Sequence, residues 1–386
     1  MRPPPRGGIS AWSIWGYLPV ALSLSFVWLQ GIVFSQTPKR LQLTTGKEIF
    51  ETACVACHGH DGKGMPQTTL GFEPPATFPD FTDCSATVRE ADADWSAIIH
   101  NGGPVRGFSP IMPSFREALS GDQIDKVIQH LRAFCKETAW PPGEMNLPRP
   151  LSTGKAFPED EWVLTSSHNT RGNPGFTTEF IYEKRFGARN QIEVKAPFAF
   201  NRPSPGTWYG GTGDIALGLK RVLASSKRTG SILSAAGEAS FPTGNKARGL
   251  GKGVTVLEGF AAFAQLLPKN SFVQAQGGVE LPKSTREVPR AVFWRTAVGA
   301  SFAKGEGFGR LWSPMVEFLA DRELGAGNKT NWDIVPQLQV TLNKRQHIRA
   351  NAGFRIPMNN TLGRSTAVVF YLLWDFFDGG LRDGWK

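Results

Sequence analysis

The chain has 386 residues, which is long for a single hydrophobic core, so two folded units with connecting segments are expected. Its formal net charge is +10, which suits an acidic partner or an anionic surface. Nucleic-acid binding is not expected, because no basic run is interleaved with aromatic residues as such a surface requires.

The N-terminus has the features of an export signal. Arg2 and Arg6 precede an apolar stretch from about Trp15 to Phe34, and small or apolar residues stand at the positions of a cleavage site. Residues 1–35 are therefore predicted to be a signal peptide. An uncleaved membrane anchor stays open as the alternative, because the stretch approaches the roughly 20 apolar residues of a spanning helix. Both alternatives place the rest of the chain outside the cytoplasm.

The motif Cys54-Val55-Ala56-Cys57-His58 is the most specific chemical signal in the chain. Two thiols separated by two residues at a helix start can bond the two vinyl groups of one haem, and the adjacent histidine can then ligate the iron. A thioredoxin-like pair would need a βαβ context, and a zinc site would need a second Cys/His pair at suitable spacing. The motif therefore predicts one covalent haem c, attached through Cys54 and Cys57 and ligated by His58.

A methionine is the expected second axial ligand, because a thioether raises the reduction potential and suits electron transfer. Met112 lies in a proline-stiffened loop before the last predicted helix and can approach the iron from the face opposite His58. Met65 follows the motif closely and would have to turn back across the haem plane. Met112 is thus the favoured ligand and Met65 the alternative. The other histidines of this region are interpreted as surface or core residues: His60, His100 and His130.

Residues 46–136 closely resemble the class I cytochrome c domain. The resemblance rests on the run Cys54 to Gly64, on Ile98 to Gly102, on Met112-Pro113-Ser114-Phe115 and on an amphipathic last helix. It implies an all-α domain with a single haem and with its axial methionine at Met112. Iron that is six-coordinate in this way disfavours substrate chemistry, so an electron carrier is expected rather than an enzyme.

Two further cysteines, Cys84 and Cys135, are extra to that pattern. In an oxidising compartment they are expected to pair as a disulfide. Two free buried cysteines are the alternative, because pairing depends on a geometry that a sequence does not show.

A proline-rich segment, residues 137–160, is predicted to be an extended linker, because its prolines forbid a continuous helix or central strand. After it the apolar residues recur with a period of two, as where Ile192 and Val194 alternate with Glu193 and Lys195. This pattern predicts about twelve strands, near 162–168, 176–186, 190–200, 213–224, 230–242, 253–267, 271–282, 290–303, 310–323, 331–343, 347–358 and 365–377.

About twelve antiparallel strands of this length are typical of a transmembrane β-barrel, here residues 161–377 followed by a tail, residues 378–386. A water-soluble β-sandwich or barrel is the alternative fold, because alternation alone does not distinguish a face exposed to solvent from one that lines a wet lumen. Short connections alternate with longer ones, which predicts an even strand number and both barrel ends on the periplasmic side. Aromatic residues are interpreted as membrane-rim residues: Trp208, Tyr209, Trp294, Trp312, Trp332, Tyr371 and Trp374.

The barrel region also resembles the outer-membrane family named for the MetA pathway of phenol degradation. The resemblance rests on Phe157 to Asp160, on the strand pair from Phe180 to Val194 and on Gly211 to Lys220. It departs from the usual pattern at the C-terminus, where outer-membrane barrels end in an aromatic residue. Here Phe376 and Phe377 are followed by residues 378–386, so an internal assembly signal is expected.

These expectations combine into an electron carrier tethered to the outer membrane of a Gram-negative-type bacterium, with the cytochrome domain in the periplasm. Its expected partners are periplasmic redox proteins and outer-membrane lipid. A single haem does not provide redox centres along the roughly 25 Å height of the apolar band of a barrel. Electron transfer across the membrane would therefore need a further redox partner. The alternative is a channel for small or apolar solutes with the cytochrome domain as plug or redox gate. Arg295, Arg349 and Arg355 in a polar lumen would then favour anionic solutes.

Overall fold

The computed structural model describes residues 42–65, 79–170, 175–204, 207–303 and 309–385. The predicted signal peptide, residues 1–35, lies outside the described residues. Within the described part of the chain, no helix is both long and apolar enough to cross a membrane.

The N-terminal domain is helical. Its described α-helices are α1 Gly46–Ala53, α2 Val55–His58, α3 Cys84–Thr87, α4 Asp92–Asn101 and α5 Gly121–Arg132.

The first and last helices begin with the same local signal. The Thr45 hydroxyl accepts a hydrogen bond from the Glu48 N–H (3.2 Å), and the Glu48 carboxylate accepts one from the Thr45 N–H (3.0 Å). Ser120 and Gln123 repeat this exchange at the start of α5, at 3.3 and 2.9 Å. Each pair satisfies N–H groups that a helix start leaves without an intrahelical partner.

The two capped helices pack against each other in the core of the domain. At Gly46 in α1, a Cβ atom would lie 2.0 Å from the carbonyl oxygen of Lys126 in α5. Only glycine permits this approach. The buried apolar residues around the contact are Ile49, Phe50, Ile124, Val127, Ile128 and Leu131.

A disulfide joins Cys84 at the start of α3 to Cys135, which follows α5, with the two Cα atoms 5.1 Å apart. It ties the short helix after Asp83 to the end of the last helix. Among the described residues, Cys54 and Cys57 are the free cysteines.

Fourteen strands follow within the described residues. They are β1 Glu161–Asn169, β2 Gly175–Phe186, β3 Asn190–Ser204, β4 Thr207–Thr212, β5 Ala216–Ser226, β6 Ser231–Ser240, β7 Val256–Leu267, β8 Ser271–Pro282, β9 Ala291–Ala300, β10 Phe302–Ala303, β11 Leu311–Glu323, β12 Asn331–Thr341, β13 Ile348–Pro357 and β14 Ala367–Asp375.

The strands form one closed antiparallel barrel. β14 pairs with β1, with Glu161 opposite Asp375. β9 pairs directly with β11, although the short β10 lies between them in the sequence. β4 and β10 are short additions to their neighbours, so the other twelve of the fourteen strands make the ring. The predicted fold, a helical cytochrome-like domain followed by a barrel of about twelve strands, is confirmed.

The barrel is apolar outside, and much of its inner face is polar. Along β12, Asp333, Gln337 and Gln339 are buried in the lumen, whereas the alternate residues Trp332 and Leu338 are each 43% exposed on the outer face. A water-soluble barrel would place its apolar face inwards. The arrangement is therefore that of a barrel surrounded by lipid. Exposed apolar residues continue around the outer wall: Leu164, Phe180, Leu219, Leu257, Phe318 and Phe370.

The two rims of the barrel differ in their connections. At the rim where β1 begins and β14 ends, here called the terminal rim, the turns 187–189, 227–230 and 268–270 are short. At the opposite rim, connections such as 241–255 are longer. This is the alternation that the sequence predicted.

The proline-rich segment differs from the extended linker that the sequence suggested. Residues 143–160, here called the luminal segment, run inside the barrel, where Met145 and Phe157 are each 1% exposed. Proline prevents this segment from joining the strand ladder, but its apolar side chains still find partners on inward-facing strand positions. Those partners are Val222, Ile232, Ala262, Ala264, Phe272 and Met315.

Candidate functional site

One short helix positions both motif cysteines. Cys54 caps the start of α2, Cys57 and His58 lie within it, and Gly59 ends it with a positive φ of 70°. Residues three apart on a helix share a face, so both thiols can reach the same planar group. The His58 ring packs on Phe81, with ring centroids 5.0 Å apart.

The chemistry of these side chains fits a covalently bound haem. Burial lowers the pKa of His58 to about 4, so its imidazole is neutral, which is the form that ligates a metal. Burial also raises the pKa of the Cys54 thiol to about 11. Neither Cys54 nor Cys57 takes part in a disulfide, so both sulfur atoms are available for thioether bonds.

Met112 lies beside the same apolar cluster as the motif. Cys54, Val55 and Met112 all pack against the cluster that contains Phe81 and Ile99. The structure thus places Met112 and the start of the motif beside one apolar cluster, although they lie far apart in the sequence.

The backbone N–H of the alternative ligand, Met65, donates to the Cys57 carbonyl at 3.2 Å, so Met65 stays on the chain limb that carries the motif. Of the remaining histidines, His60 is exposed and His100 lies with Nδ1 3.1 Å from Asn101 Oδ1. His130 packs on Phe50 at 5.3 Å. Met112 stays the favoured second ligand.

Inside the barrel, a buried carboxylate holds the luminal segment. Glu317 accepts hydrogen bonds from the backbone N–H of Ser152 (3.0 Å) and of Thr153 (2.6 Å), and from the Thr153 hydroxyl (2.6 Å). On the other side of the same peptide, Arg295 donates to the Ser152 carbonyl oxygen at 3.0 Å. The peptide is therefore bound at both its donor and its acceptor.

Side-chain amides from other strands bind further backbone N–H groups of the luminal segment. Gln339 accepts from the Arg149 N–H (3.0 Å) and Gln337 from the Leu151 N–H (3.0 Å). Buried peptide groups need such partners, because this segment is not part of a strand ladder that would supply them. The other two contacts of this kind are Gln276 with the Gly154 N–H and Gln191 with the Glu159 N–H, at 2.8 and 2.6 Å.

Three buried carboxylates, Glu159, Glu161 and Asp375, lie with oxygen atoms within 4.8 Å of one another. Each has its own cation: Lys155 pairs with Glu159, Arg149 with Glu161, and Arg349 with Asp375, the last at 3.0 Å. A buried charge requires such a partner. The cluster is therefore a neutralised charge network, and it offers no free set of metal ligands.

A cavity of about 210 Å³ remains between the luminal segment and one wall of the barrel. Lys195 lies in this wall and is held by Glu193 (3.0 Å) and Glu238 (2.5 Å). Glu179 and Glu258 also line it.

The lumen arginines that suggested anionic solutes all have partners. Arg295 binds the luminal segment, Arg349 pairs with Asp375, and Arg355 pairs with Asp333 at 2.6 Å. Tyr371, interpreted from the sequence as a rim aromatic, instead faces the lumen and donates to the Arg149 carbonyl oxygen at 2.7 Å. That interpretation was wrong, because alternation along β14 turns Tyr371 inwards.

The helical domain contacts the terminal rim through ion pairs that the sequence did not identify. Arg89 forms an ion pair with Asp160, and Lys227 in a rim turn pairs with Asp92. Lys227 also pairs with Glu144, at the start of the luminal segment, at 2.8 Å. The basic turn around Lys227 was the available signal, but its acidic partners come from distant parts of the sequence.

Comparisons with known proteins give matches of two kinds. The family model described as "Cytochrome C oxidase, cbb3-type, subunit III" matches residues 41–131, which shows a cytochrome c domain in the helical part. A search among curated proteins finds no match.

Several solved structures are similar to the barrel. A KdgM porin has a TM-score of 0.38 and 7% identity, covering 56% of this chain and 99% of that one. An outer membrane channel from Pseudomonas putida F1 has a TM-score of 0.40 and 13% identity, covering 59% and 99%. A NanC porin has a TM-score of 0.39 and 8% identity, covering 56% and 98%.

Proposed function

We propose that this chain is a membrane-anchored electron carrier. In this proposal residues 46–136 are the redox domain, residues 161–377 are the anchor, and one haem c is bonded to Cys54 and Cys57 with His58 and Met112 as axial ligands. Haem, when bound, supplies a centre for one-electron oxidation and reduction. The apolar residues beside Cys54 and Met112 would offer it a largely apolar environment.

The observation that carries the proposal is the shared apolar cluster. Two free thiols and a neutral imidazole stand at α2, and Met112 packs against the same buried residues from a different part of the domain. His58 and Met112 would together hold the iron, which would favour electron transfer over substrate binding.

An outer-membrane location with the redox domain in the periplasm belongs to the same proposal. It is supported by the apolar outer wall and by the short turns of the terminal rim, where bacterial barrels have their periplasmic turns. Aromatic side chains gather on the outside of that rim, with Trp162 4.5 Å from Tyr182 and Tyr182 5.8 Å from Phe376. Such aromatic girdles mark the membrane interface.

We also place the barrel with the MetA-pathway family, on the sequence resemblance given above. Periplasmic redox proteins are the proposed partners of the haem domain.

The test is maturation of the full chain in a cell that assembles c-type cytochromes. We expect an intact mass raised by one haem, and a reduced spectrum of a low-spin, six-coordinate haem c. The double variant Cys54→Ala/Cys57→Ala should carry no covalent haem, while the barrel still shows the heat-dependent gel mobility of a folded barrel. Colourless wild-type protein of unmodified mass would remove the proposal.

A gated channel is the second candidate, favoured by the polar lumen and the cavity of about 210 Å³ beside the luminal segment. In this candidate the luminal segment, rather than the cytochrome domain, closes the barrel. Solute flux that persists after Met112→Ala would support a channel that works independently of the haem.

A further inference from the structure

The loop that carries Met112 has its tip against the barrel. In this loop, here called the methionine loop and comprising residues 102–113, the Gly103 N–H donates to the Met112 carbonyl at 3.0 Å and the Phe108 N–H donates to the Gly103 carbonyl at 2.9 Å. These bonds make the loop one closed unit. Phe108 and Met112 are therefore linked through the same residue, Gly103.

The C-terminal tail, residues 378–385, folds back over the barrel turn 342–347 instead of leaving the molecule. The Lys344 N–H donates to the Gly384 carbonyl at 2.7 Å, and the Asn343 side-chain amide donates to the Asp383 carbonyl at 2.9 Å. The tail and the turn thus form one surface at the terminal rim.

Two glycines make the contact between this surface and the methionine loop. A Cβ atom on Gly107 would lie 2.6 Å from the Cα of Gly384. Both glycines have positive φ values, 69° and 73°, a conformation that other residues adopt only at a cost. Backbone therefore meets backbone at the tip of the loop, with no room for a side chain.

Arg345 holds the tail and the loop together. Its guanidinium lies over the Phe108 ring, 4.3 Å from the ring centroid, and Nη1 donates to the Asp378 carbonyl at 2.7 Å. The Asp383 carboxylate lies 3.7 Å from the same nitrogen. The Arg345 side chain is only 8% exposed, so these contacts are shielded from solvent.

We propose that the barrel supports the haem ligand: Arg345 and the C-terminal tail hold the methionine loop in the conformation in which Met112 ligates iron. This inference rests on the proposed function and adds a positioning role for a residue of the barrel. A loop without that support gains more conformational entropy when it detaches, so Met112 would leave the iron more often. Thioether ligation raises the reduction potential, so the support keeps the potential high.

The test compares Arg345→Ala with Arg382→Ala in the full, haem-loaded chain. Arg382 is an exposed arginine of the same tail, so it is the matched control. We expect Arg345→Ala to weaken Met112 ligation of the reduced haem about tenfold relative to the oxidised haem, which corresponds to a fall of about 59 mV in the one-electron potential. The thioether-to-iron charge-transfer band of the oxidised protein should weaken with it, while Arg382→Ala should match the wild type. Arg345→Lys keeps a cation over the Phe108 ring and should restore part of the potential.

Amide hydrogen exchange of haem-free protein gives a readout that does not depend on the iron. Exchange at Phe108 and Met112 should become about tenfold faster in Arg345→Ala and in a chain that ends at Asp378. Heat-dependent gel mobility verifies that each barrel is folded.

The inference would be overturned if Arg345→Ala and the chain that ends at Asp378 both kept the wild-type reduction potential and charge-transfer band. This holds even if amide exchange becomes faster, because the loop would then move without affecting ligation. A wild-type protein that lacks the haem or the thioether band would instead contradict the proposed function, whatever the variants show. The two failures are therefore distinguishable.

Discussion

Glu317→Gln is expected to release the luminal segment and open the barrel. Glu317 is fully buried and accepts hydrogen bonds from two backbone N–H groups and one hydroxyl of the luminal segment. A glutamine of the same shape keeps one acceptor oxygen but turns an amide donor towards these donors. The substitution therefore weakens the attachment without removing volume from the lumen.

The size of the effect follows from those bonds. Hydrogen bonds to a charged group contribute roughly 1.5–3 kcal/mol each. If two of them are lost or reversed, the attachment weakens by about 3 kcal/mol, which is roughly a hundredfold change in the population of the detached segment. The buried Phe157 side chain still holds the other end of the segment, so release should be intermittent rather than permanent.

Single-channel recording in planar bilayers measures this release directly. Wild-type protein should be almost silent, and Glu317→Gln should show bursts of conductance whose total open time is about a hundredfold greater. Replacing residues 146–156 by a Gly/Ser stretch of equal length should hold the barrel open. Glu323→Gln is the matched control, because Glu323 lies on the same strand but is exposed.

Two results would refute this reasoning. A wild-type barrel that already conducts as an open pore would show that the luminal segment leaves a path for ions. Equal conductance of the Gly/Ser variant and the wild type would show that something other than this segment closes the lumen.

Three further predictions concern the helical domain and its contact with the rim. Met112→Ala should lower the reduction potential in a redox titration, because the thioether ligand is lost. Cys84→Ser should destabilise the domain by roughly 4 kcal/mol in denaturant unfolding followed by haem absorbance, because the disulfide closes a sequence separation of 51 residues. Burial raises the pKa of Asp378 from 3.8 to about 7, so the folded protein keeps a proton there that the unfolded chain loses. The free energy of unfolding should therefore fall as pH rises from about 4 to 7. Asp378→Asn should remove that fall, which amounts to at most about 4 kcal/mol.

Each of these has a control and a contrary outcome. Met65→Ala should leave the potential unchanged, and a larger effect there than at Met112 would exchange the two ligand assignments. Wild-type protein whose disulfide has been reduced should match Cys84→Ser in stability. A decrease in the free energy of unfolding below about 1 kcal/mol would show that the disulfide adds little. A pH profile that is the same in Asp378→Asn and in the wild type would assign the titration to another group.

Much of the architecture is readable from local patterns. The predicted strand 271–282 is β8, because alternation of apolar and polar residues is a property of neighbouring residues and needs no tertiary information. The haem motif is equally local, since Cys54, Cys57 and His58 occupy one turn of chain. The even strand number also followed from the alternation of short and long connections.

What the sequence by itself determined is therefore the set of elements, their periodicity and the chemistry of the motif. Only the tertiary structure decided which face of each strand is inside and where the proline-rich segment lies. The luminal segment enters the barrel because Glu317 and Gln337, from strands far along the chain, accept its backbone N–H groups. Gly107 meets Gly384 for a similar reason: their contact depends on the closed ring of strands bringing the end of the chain back to its beginning. Such pairings join residues of large sequence separation, and no local pattern contains them.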